Sequence, residues 1–413
     1  MAGPASNLPA RLRMARSRAL LDAVKSAIEH ESADQVHSAL RATKSLLGGK
    51  DVSAVLTDVI VGRIDGSLDH AEASRHLEQL AAQADARGLR PLQWSVLENL
   101  SRAIGCFVAS LAFGDSGRRA VLEGRGKPDH PSVFLAHLYN HDVDSAVAVW
   151  DQQNTDEADG EAWTDAGQLL WLLTAGEHGR RDIAPTGSWR DALEGRTILA
   201  LGPAPTSLPS SGWSNALVAR VATPGVTGWP ADDVVGGRVD LTYANSDSAK
   251  WFVANNERQL FDRVEFASFR TSVWQQLGLA NGRTAYHHKR LLPMPFDKTN
   301  MVPLIAWDVL HVPDVSLHIA GTTFFASATA YTPQDVRLKE DRGGHTDQRG
   351  STGIRFERCV SFSGHHLSAH HTLMALLARA GVVSFDDDGQ RVLELSTREY
   401  LADIDRLYGV DAV

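Results

Sequence analysis

Thr197-Ile198-Leu199-Ala200-Leu201-Gly202-Pro203-Ala204-Pro205-Thr206-Ser207 is the stretch that decides the fold class. A threonine and four apolar residues, too short a run for a helix, pass without a polar break into a glycine and two prolines. That pattern describes a strand buried on both faces that ends in a loop, and such strands belong to parallel sheets. Similar runs predict strands over 217–221, 264–269 and 316–320, with a helix over 301–310 ahead of the last. Right-handed crossovers assemble this alternation into an α/β fold, a Rossmann-like, mainly parallel sheet flanked by helices. Ligands of such sheets bind beyond the carboxyl ends of the strands.

Upstream the grammar differs. Across residues 12–173 apolar side chains recur at helical spacing, as in Leu20, Leu21, Val24 and Ile28 and again in Leu77 and Leu80. The breaks are turn-like, Leu47-Gly48-Gly49-Lys50 and Gly126-Lys127-Pro128 among them, and no strict repeat period is present. An all-α, solenoid-like N-terminal domain is expected. The polar stretch 179–187 with Pro185 separates the two patterns, which places a helical accessory domain over 1–190 and the Rossmann-like domain over 191–413. Two units fit a chain of 413 residues at roughly 150 residues per domain.

Charge and cysteine content narrow the function classes. Lys and Arg number 41 against 50 Asp and Glu, a net −9, which disfavours a phosphate-coating role, so no nucleic-acid partner is expected. Cys106 and Cys359 are the only cysteines, too few for a disulfide framework or a cysteine metal site, and a reducing cytoplasm fits best. Arg11, Arg13, Arg16 and Arg18 have no apolar segment behind them, and no run approaches the ~18 apolar residues of a membrane span. The expected location is cytoplasmic or peripheral to a membrane, with no integral membrane segment.

Gly202 stands where a first βα loop receives a nucleotide, with hydroxyls at Thr206 and Ser207. Gly-x-Gly-x-x-Gly is absent, and Pro203 and Pro205 remove the N–H donors a pyrophosphate cradle needs, so NAD and FAD are discounted and no cofactor is expected. Further on, Arg220 lies near the end of the second strand, and Asp233-Val234-Val235-Gly236-Gly237-Arg238-Val239-Asp240 leads to Asn245-Ser246-Asp247-Ser248. Asp297-Lys298-Thr299-Asn300 precedes the 301–310 helix, where a helix N-terminus offers either an anion site or simple N-capping. Gly321-Thr322-Thr323-Phe324-Phe325, with Tyr331 six positions later, leaves the 316–320 strand. Ser363-Gly364-His365-His366-Leu367-Ser368-Ala369-His370-His371 opens a helix over 372–380 and sets four imidazoles within seven positions, more than can all be buried cheaply.

In order and spacing these stretches resemble the motifs of sialyltransferases and their Kdo-transferase-like relatives over residues 196–409. Thr323 and Phe325 stand where that family carries Asp and Tyr, and His370 or His371 stands at the spacing of its Glu. The resemblance implies an inverting, metal-independent glycosyltransferase that moves an acidic sugar, a sialic acid or Kdo, from a CMP donor to a glycan hydroxyl in glycan biosynthesis. A nucleotide sugar and a glycan acceptor are the implied partners. His365, then His366, is nominated as the base that takes the acceptor proton, a task suited to an imidazole of ordinary pKa near ~6.5. Tyr331, Thr299 and Asn300 are assigned to phosphate or ribose, and Gly202, Ser207 and Asn245 to the nucleotide-sugar cleft. Gly321, Thr322, Thr323 and His370 join the substrate-binding set, and Arg220 or Arg238 pairs with the sugar carboxylate.

Two other readings stay open at this stage. His366 and His370 are four apart on a helix, and with His365 they offer zinc-ligand spacing for a hydrolase. A helical scaffold carrying a degenerate, inactive α/β domain is the third reading. Beyond the histidines, Asp386-Asp387-Asp388 reads as a solvated turn, residues 391–395 as a strand, and Ser396 with Glu399 as a capping box opening a final helix.

Overall fold

The computed structural model describes residues 8–85, 88–125, 129–153, 161–181, 188–202, 204, 206, 208, 212–222, 235, 237–257, 261, 264–269, 300–326 and 365–409. These fall into two compact units, one ending at Ala136 and resumed from Leu401, the other between His137 and Tyr400. Among the described residues no helix is long and apolar enough to cross a membrane.

The first unit is helical: α1 (Leu8–Glu29), α2 (Ala33–Ala42), α3 (Lys50–Asp65), α4 (His70–Asp85), α5 (Pro91–Ala103) and α6 (Phe107–Leu122). The helices start where the chain supplies acceptors for orphan N–H groups. Ser32 caps α2 by accepting from the amide of Gln35, and Pro91 occupies the first turn of α5, where no N–H is needed. Their apolar stripes meet in one core containing Leu20, Val24, Leu56, Ile60, Leu77, Trp94, Leu97 and Phe113. Burying each such side chain contributes about 1.5–3 kcal/mol. One ionic cluster interrupts this core. The Asp405 carboxylate, in a π turn over Asp405–Gly409, accepts from the amides of Phe107 and Val108 at 2.9 and 3.0 Å and lies 3.5 Å from His70 Nε2.

The second unit carries a six-stranded sheet: β1 (Thr197–Leu201), β2 (Leu217–Val221), β3 (Leu241–Ala244), β4 (Phe266–Phe269), β5 (Ser316–Ala320) and β6 (Val383–Phe385). All pairings are parallel, in the order β4-β3-β2-β1-β5-β6. The unit's helices are α8 (Val143–Gln153), α9 (Glu161–Leu173), α10 (Ser188–Leu193), α11 (Ser246–Ala254), α12 (Met301–Val309), α13 (Leu367–Arg379), α14 (Asp387–Glu394) and α15 (Thr397–Ile404), of which α15 runs past the division. The other division falls within α7 (His130–Tyr139).

Register sorts the strand side chains by face. Leu199 pairs with Val218 and His318, so these three share one face, which α11 covers nearby by packing Phe252 on Ala244, Ala267 and Phe269. On the other face Tyr243 and Phe266 meet the edge of Trp189 from α10. The expected Rossmann-like sheet flanked by helices is therefore present.

One local expectation is corrected and one strand is added. Residues 391–395 are not a strand: α14 runs over Asp387–Glu394 because the Asp386 side chain caps it and Asp387 and Asp388 sit in its first turn, where the helix dipole favours carboxylates. The short apolar pair Val392-Leu393, both buried, belongs to a helix stripe. A further strand, β3, lies between the expected second and third strands.

Candidate functional site

β1 is laid down first, the chain moves outward to β4, and β5 then returns to the other side of β1. The direction of winding reverses between β1 and β5, and the carboxyl edge at such a switch point is where sheets of this kind bind ligands. α12 and α13 lead into β5 and β6, so in a parallel sheet their N-termini lie at this same carboxyl edge. The edge thus gathers Gly202 after β1, Asn245 after β3, Asn300 at the start of α12, Gly321, Thr322 and Thr323 after β5, and His365, His366 and His370 at the start of α13. Ser207, Thr299 and Tyr331 lie outside the described residues.

The β1 and β5 loops touch through their glycines. The Gly202 amide donates to Ala320 and the Ala204 amide to Gly321, at 2.8 and 2.9 Å. A Cβ on Gly202 would stand 2.3 Å from the Gly321 carbonyl oxygen, and Gly321 itself has φ +63°. Glycine is needed at both places for backbone against backbone. Asp386, which follows β6 and is 4% exposed, fixes the junction. One carboxylate oxygen accepts from the Thr206 hydroxyl at 2.7 Å and the Gly321 amide at 2.8 Å, and the other caps α14 through Gly389 at 3.0 Å. Far from being a solvated turn, Asp386 is a buried tie between three loops. The local cue to it is an aspartate three residues before glycine at the end of a strand, an N-cap pattern.

Beyond Gly321 the chain bends sharply. Thr322 and Thr323 are buried, and Phe324 and Phe325 take φ +49° and +71°. Left-handed backbone at a bulky side chain costs on the order of 1–3 kcal/mol per residue, and such strain collects at functional sites. The bend turns the Phe325 ring to His365, stacked at 6.3 Å with 24° between the planes. His365 in turn lies 6.2 Å from the ring of His370.

The four histidines divide in two. His365 and His366 are half-buried, and His366 ends the loop as the residue before α13, with Nδ1 3.0 Å from the Ser368 hydroxyl. His370 and His371 are 2% and 1% exposed, so two of the four imidazoles are buried and two are not, in keeping with the cost of burying all four. Partners explain it. His370 Nε2 accepts from the Asn300 amide at 3.4 Å, a role that requires a lone pair on that nitrogen. His371 Nε2 lies 3.0 Å from the Val392 carbonyl and its Nδ1 3.4 Å from the Thr397 hydroxyl, while its ring stacks on Tyr400. Burial pushes the pKa of His371 down to about 4, so the ring is neutral at neutral pH. His371 is a packed core histidine. Among the described residues, no three His, Cys, Asp or Glu side chains are grouped to hold a metal ion.

The two arginines are both held by backbone carbonyls, and Arg238 lies away from the site. Arg238 donates to the carbonyls of Trp213, Ser214 and Ala216, at 2.7 to 3.0 Å, just ahead of β2, and lies 3.5 Å from Asp240. This is the amino edge of the sheet, opposite the histidines. Arg220 is buried and its Nε donates to the Arg238 carbonyl at 3.1 Å. Arg220 itself lies at the carboxyl end of β2, in register with Leu201 of β1. Asn245 and Asn300 each accept from an amide of the helix they precede, Ser248 and Met301, at 2.7 Å.

No family model matches the chain, and no curated protein matches it. Among solved structures, a mutant of the O-GlcNAc transferase of Thermobaculum terrenum matches at 10% identity and a TM-score of 0.21, over 99% of this chain and 98% of that one. A likeness at that level assigns no activity, and the functional reading rests on the crevice itself.

Proposed function

We propose that the protein is an inverting glycosyltransferase that moves an acidic sugar, a sialic acid or Kdo, from a CMP donor to a glycan hydroxyl without a metal. One observation carries this reading: the stretch after β5 and the histidine stretch, both resembling sialyltransferase motifs, meet at the switch-point crevice through the stacked rings of Phe325 and His365. In the reaction a ring nitrogen of His365 takes the acceptor hydroxyl proton as the acceptor oxygen bonds to the anomeric carbon. The bond from that carbon to the phosphate oxygen breaks, and CMP leaves with the electron pair. Charge therefore builds on the phosphate, where preorganised donors stabilise the transition state more than the ground state. In the first turn of α12 the Met301 amide is taken by Asn300 and Pro303 has none, which leaves the Val302 amide as the donor there, with Thr299 and Tyr331 as further phosphate or ribose ligands. Gly202, Ser207 and Asn245 line the nucleotide-sugar side, Gly321 to Thr323 floor the crevice, and His366 is the second candidate base.

Cytidine nucleotides test the reading directly. CMP at 100 times its Kd is expected to stabilise the fold by about 2.7 kcal/mol, seen as a rise in Tm that UMP and GMP do not match. His365→Ala is expected to keep the CMP-induced rise while losing on the order of 10²- to 10⁴-fold in donor turnover. A protein whose Tm no cytidine nucleotide moves is not this enzyme.

A further inference from the structure

The left-handed pair Phe324-Phe325 needs something to hold it, and the structure shows what does. Tyr400, at the fourth position of α15 and 1% exposed, donates its hydroxyl to the Phe324 carbonyl oxygen at 2.7 Å. That oxygen belongs to the peptide joining Phe324 to Phe325, so the hydroxyl helps fix the plane set by ψ of Phe324 and the left-handed φ of Phe325. The Tyr400 ring is itself fixed, lying flat on His371 at 4.5 Å and 10°. His371 is tied to Val392 and Thr397, and the Phe324 ring is buried 6.1 Å from Phe385. A single side-chain hydroxyl therefore connects the packed layer of α13 to α15 with the bend that presents Phe325 to His365.

We infer that Tyr400 is a positioning residue for His365, acting through the Phe324 carbonyl and the Phe325 ring. This rests on the reading of His365 as the base, but its geometry can be tested without any substrate. Without the hydroxyl, the 324–325 peptide loses its side-chain donor and is left to the turn's own bond, from the Ala326 amide to the Thr323 carbonyl at 2.7 Å, so its plane can tilt and carry the Phe325 ring off the imidazole. Tyr400 touches no reacting atom, so its loss should slow turnover and leave nucleotide binding alone.

Tyr400→Phe keeps the ring, its stack on His371 and the packing volume, and deletes one oxygen. The readout is the His365 Cε1–H resonance of the full chain, assigned by its disappearance in His365→Ala and compared with Phe325→Leu, which removes the stacked ring outright. The expected result is that Tyr400→Phe moves this resonance in the same direction as Phe325→Leu, while the His371 resonance still titrates low. In turnover, kcat for the CMP-sugar should fall on the order of tenfold with the CMP-induced rise in Tm unchanged. If Phe325→Leu moves the His365 signal and Tyr400→Phe does not, Tyr400 is only packing and the inference is overturned. It is equally overturned if neither variant moves the signal, because the stack then does not hold His365. Absence of any CMP-sugar turnover in the parent protein counts against the glycosyltransferase reading, and the resonance still decides on Tyr400.

Discussion

His70 in the helical unit and His371 in the sheet unit are both buried imidazoles, yet their proton affinities move in opposite directions. Burial works against a charge on both rings. At His70 the Asp405 carboxylate and the Cys106 side chain outweigh burial and raise the pKa to about 10. At His371 burial prevails and the pKa falls to about 4, because the Val392 carbonyl is a dipole and cannot offset the loss of water, and Arg379 and His141 add to the fall. The charge of the partner, and not depth, decides which protonation state is folded in. One unit is thereby built around an ion pair and the other around a neutral ring.

The largest effect comes from removing the carboxylate. Asp405→Asn leaves His70 facing an amide and also weakens the caps on Phe107 and Val108, so a loss of about 3–5 kcal/mol at pH 7 is expected in urea unfolding. The deficit should shrink above pH 10, where His70 is neutral in the parent as well. A deficit that stays constant with pH would mean the pair is not ionic and would remove the comparison.

The next test follows stability across pH. His70 has a folded pKa above its unfolded value near ~6.5, so its contribution is complete below ~6.5 and is lost as pH rises toward 10. His371 is depressed, so the unfolded chain takes up a proton between ~6.5 and 4 while the folded chain does not, and stability falls as pH drops through that window. Each limb has a limiting slope of about 1.4 kcal/mol per pH unit. His371→Phe, which keeps an aromatic face on Tyr400, should reduce the acid limb, to which His141 and His318, also lowered by burial, still contribute, and spare the alkaline one. Unfolding free energies measured from pH 4 to 10 check both slopes.

The strands and the two histidine pairs were not equally legible in the chain. β1, β2, β5 and α12 each carry their own signal, a run of apolar residues bounded by turns or a cap, so their existence follows from local pattern. β3 is four residues between Asp240 and Asn245 and is a strand because β2 and β4 pair with it on either side. For α14, Arg391-Val392-Leu393-Glu394-Leu395 fits a strand as well as a helix, and the cap on the preceding Asp386 decides. Among the histidines, spacing alone places His365 and His366 ahead of His370 and His371 on one helix start. Which pair is buried depends on Asn300, Val392 and Tyr400, which no local window contains. The same holds for Asp386, whose partners Thr206 and Gly321 lie 180 and 65 residues away.

Asp386 supplies the smallest test and the sharpest one, because it is a buried carboxylate whose hydrogen-bond partners are all uncharged. Like Asp405 it accepts from two backbone amides, but its third partner is the Thr206 hydroxyl and not a cation. Asp386→Asn can keep the Gly389 cap with its remaining oxygen, which turns its NH₂ toward the Gly321 amide, donor against donor. Thr206 can rotate to accept, so the net loss is one buried hydrogen bond and one clash, about 1–3 kcal/mol. The loss should be flat from pH 7 to 9, since the one titrating group that feels Asp386 among the described residues, His318, is held below its usual pKa by burial and is neutral there. Subtracting it from the Asp405→Asn loss leaves the part that His70 adds. Equal losses at the two sites would show that amides suffice for a buried carboxylate in either unit, and that the raised pKa of His70 follows the ion pair without stabilising the fold.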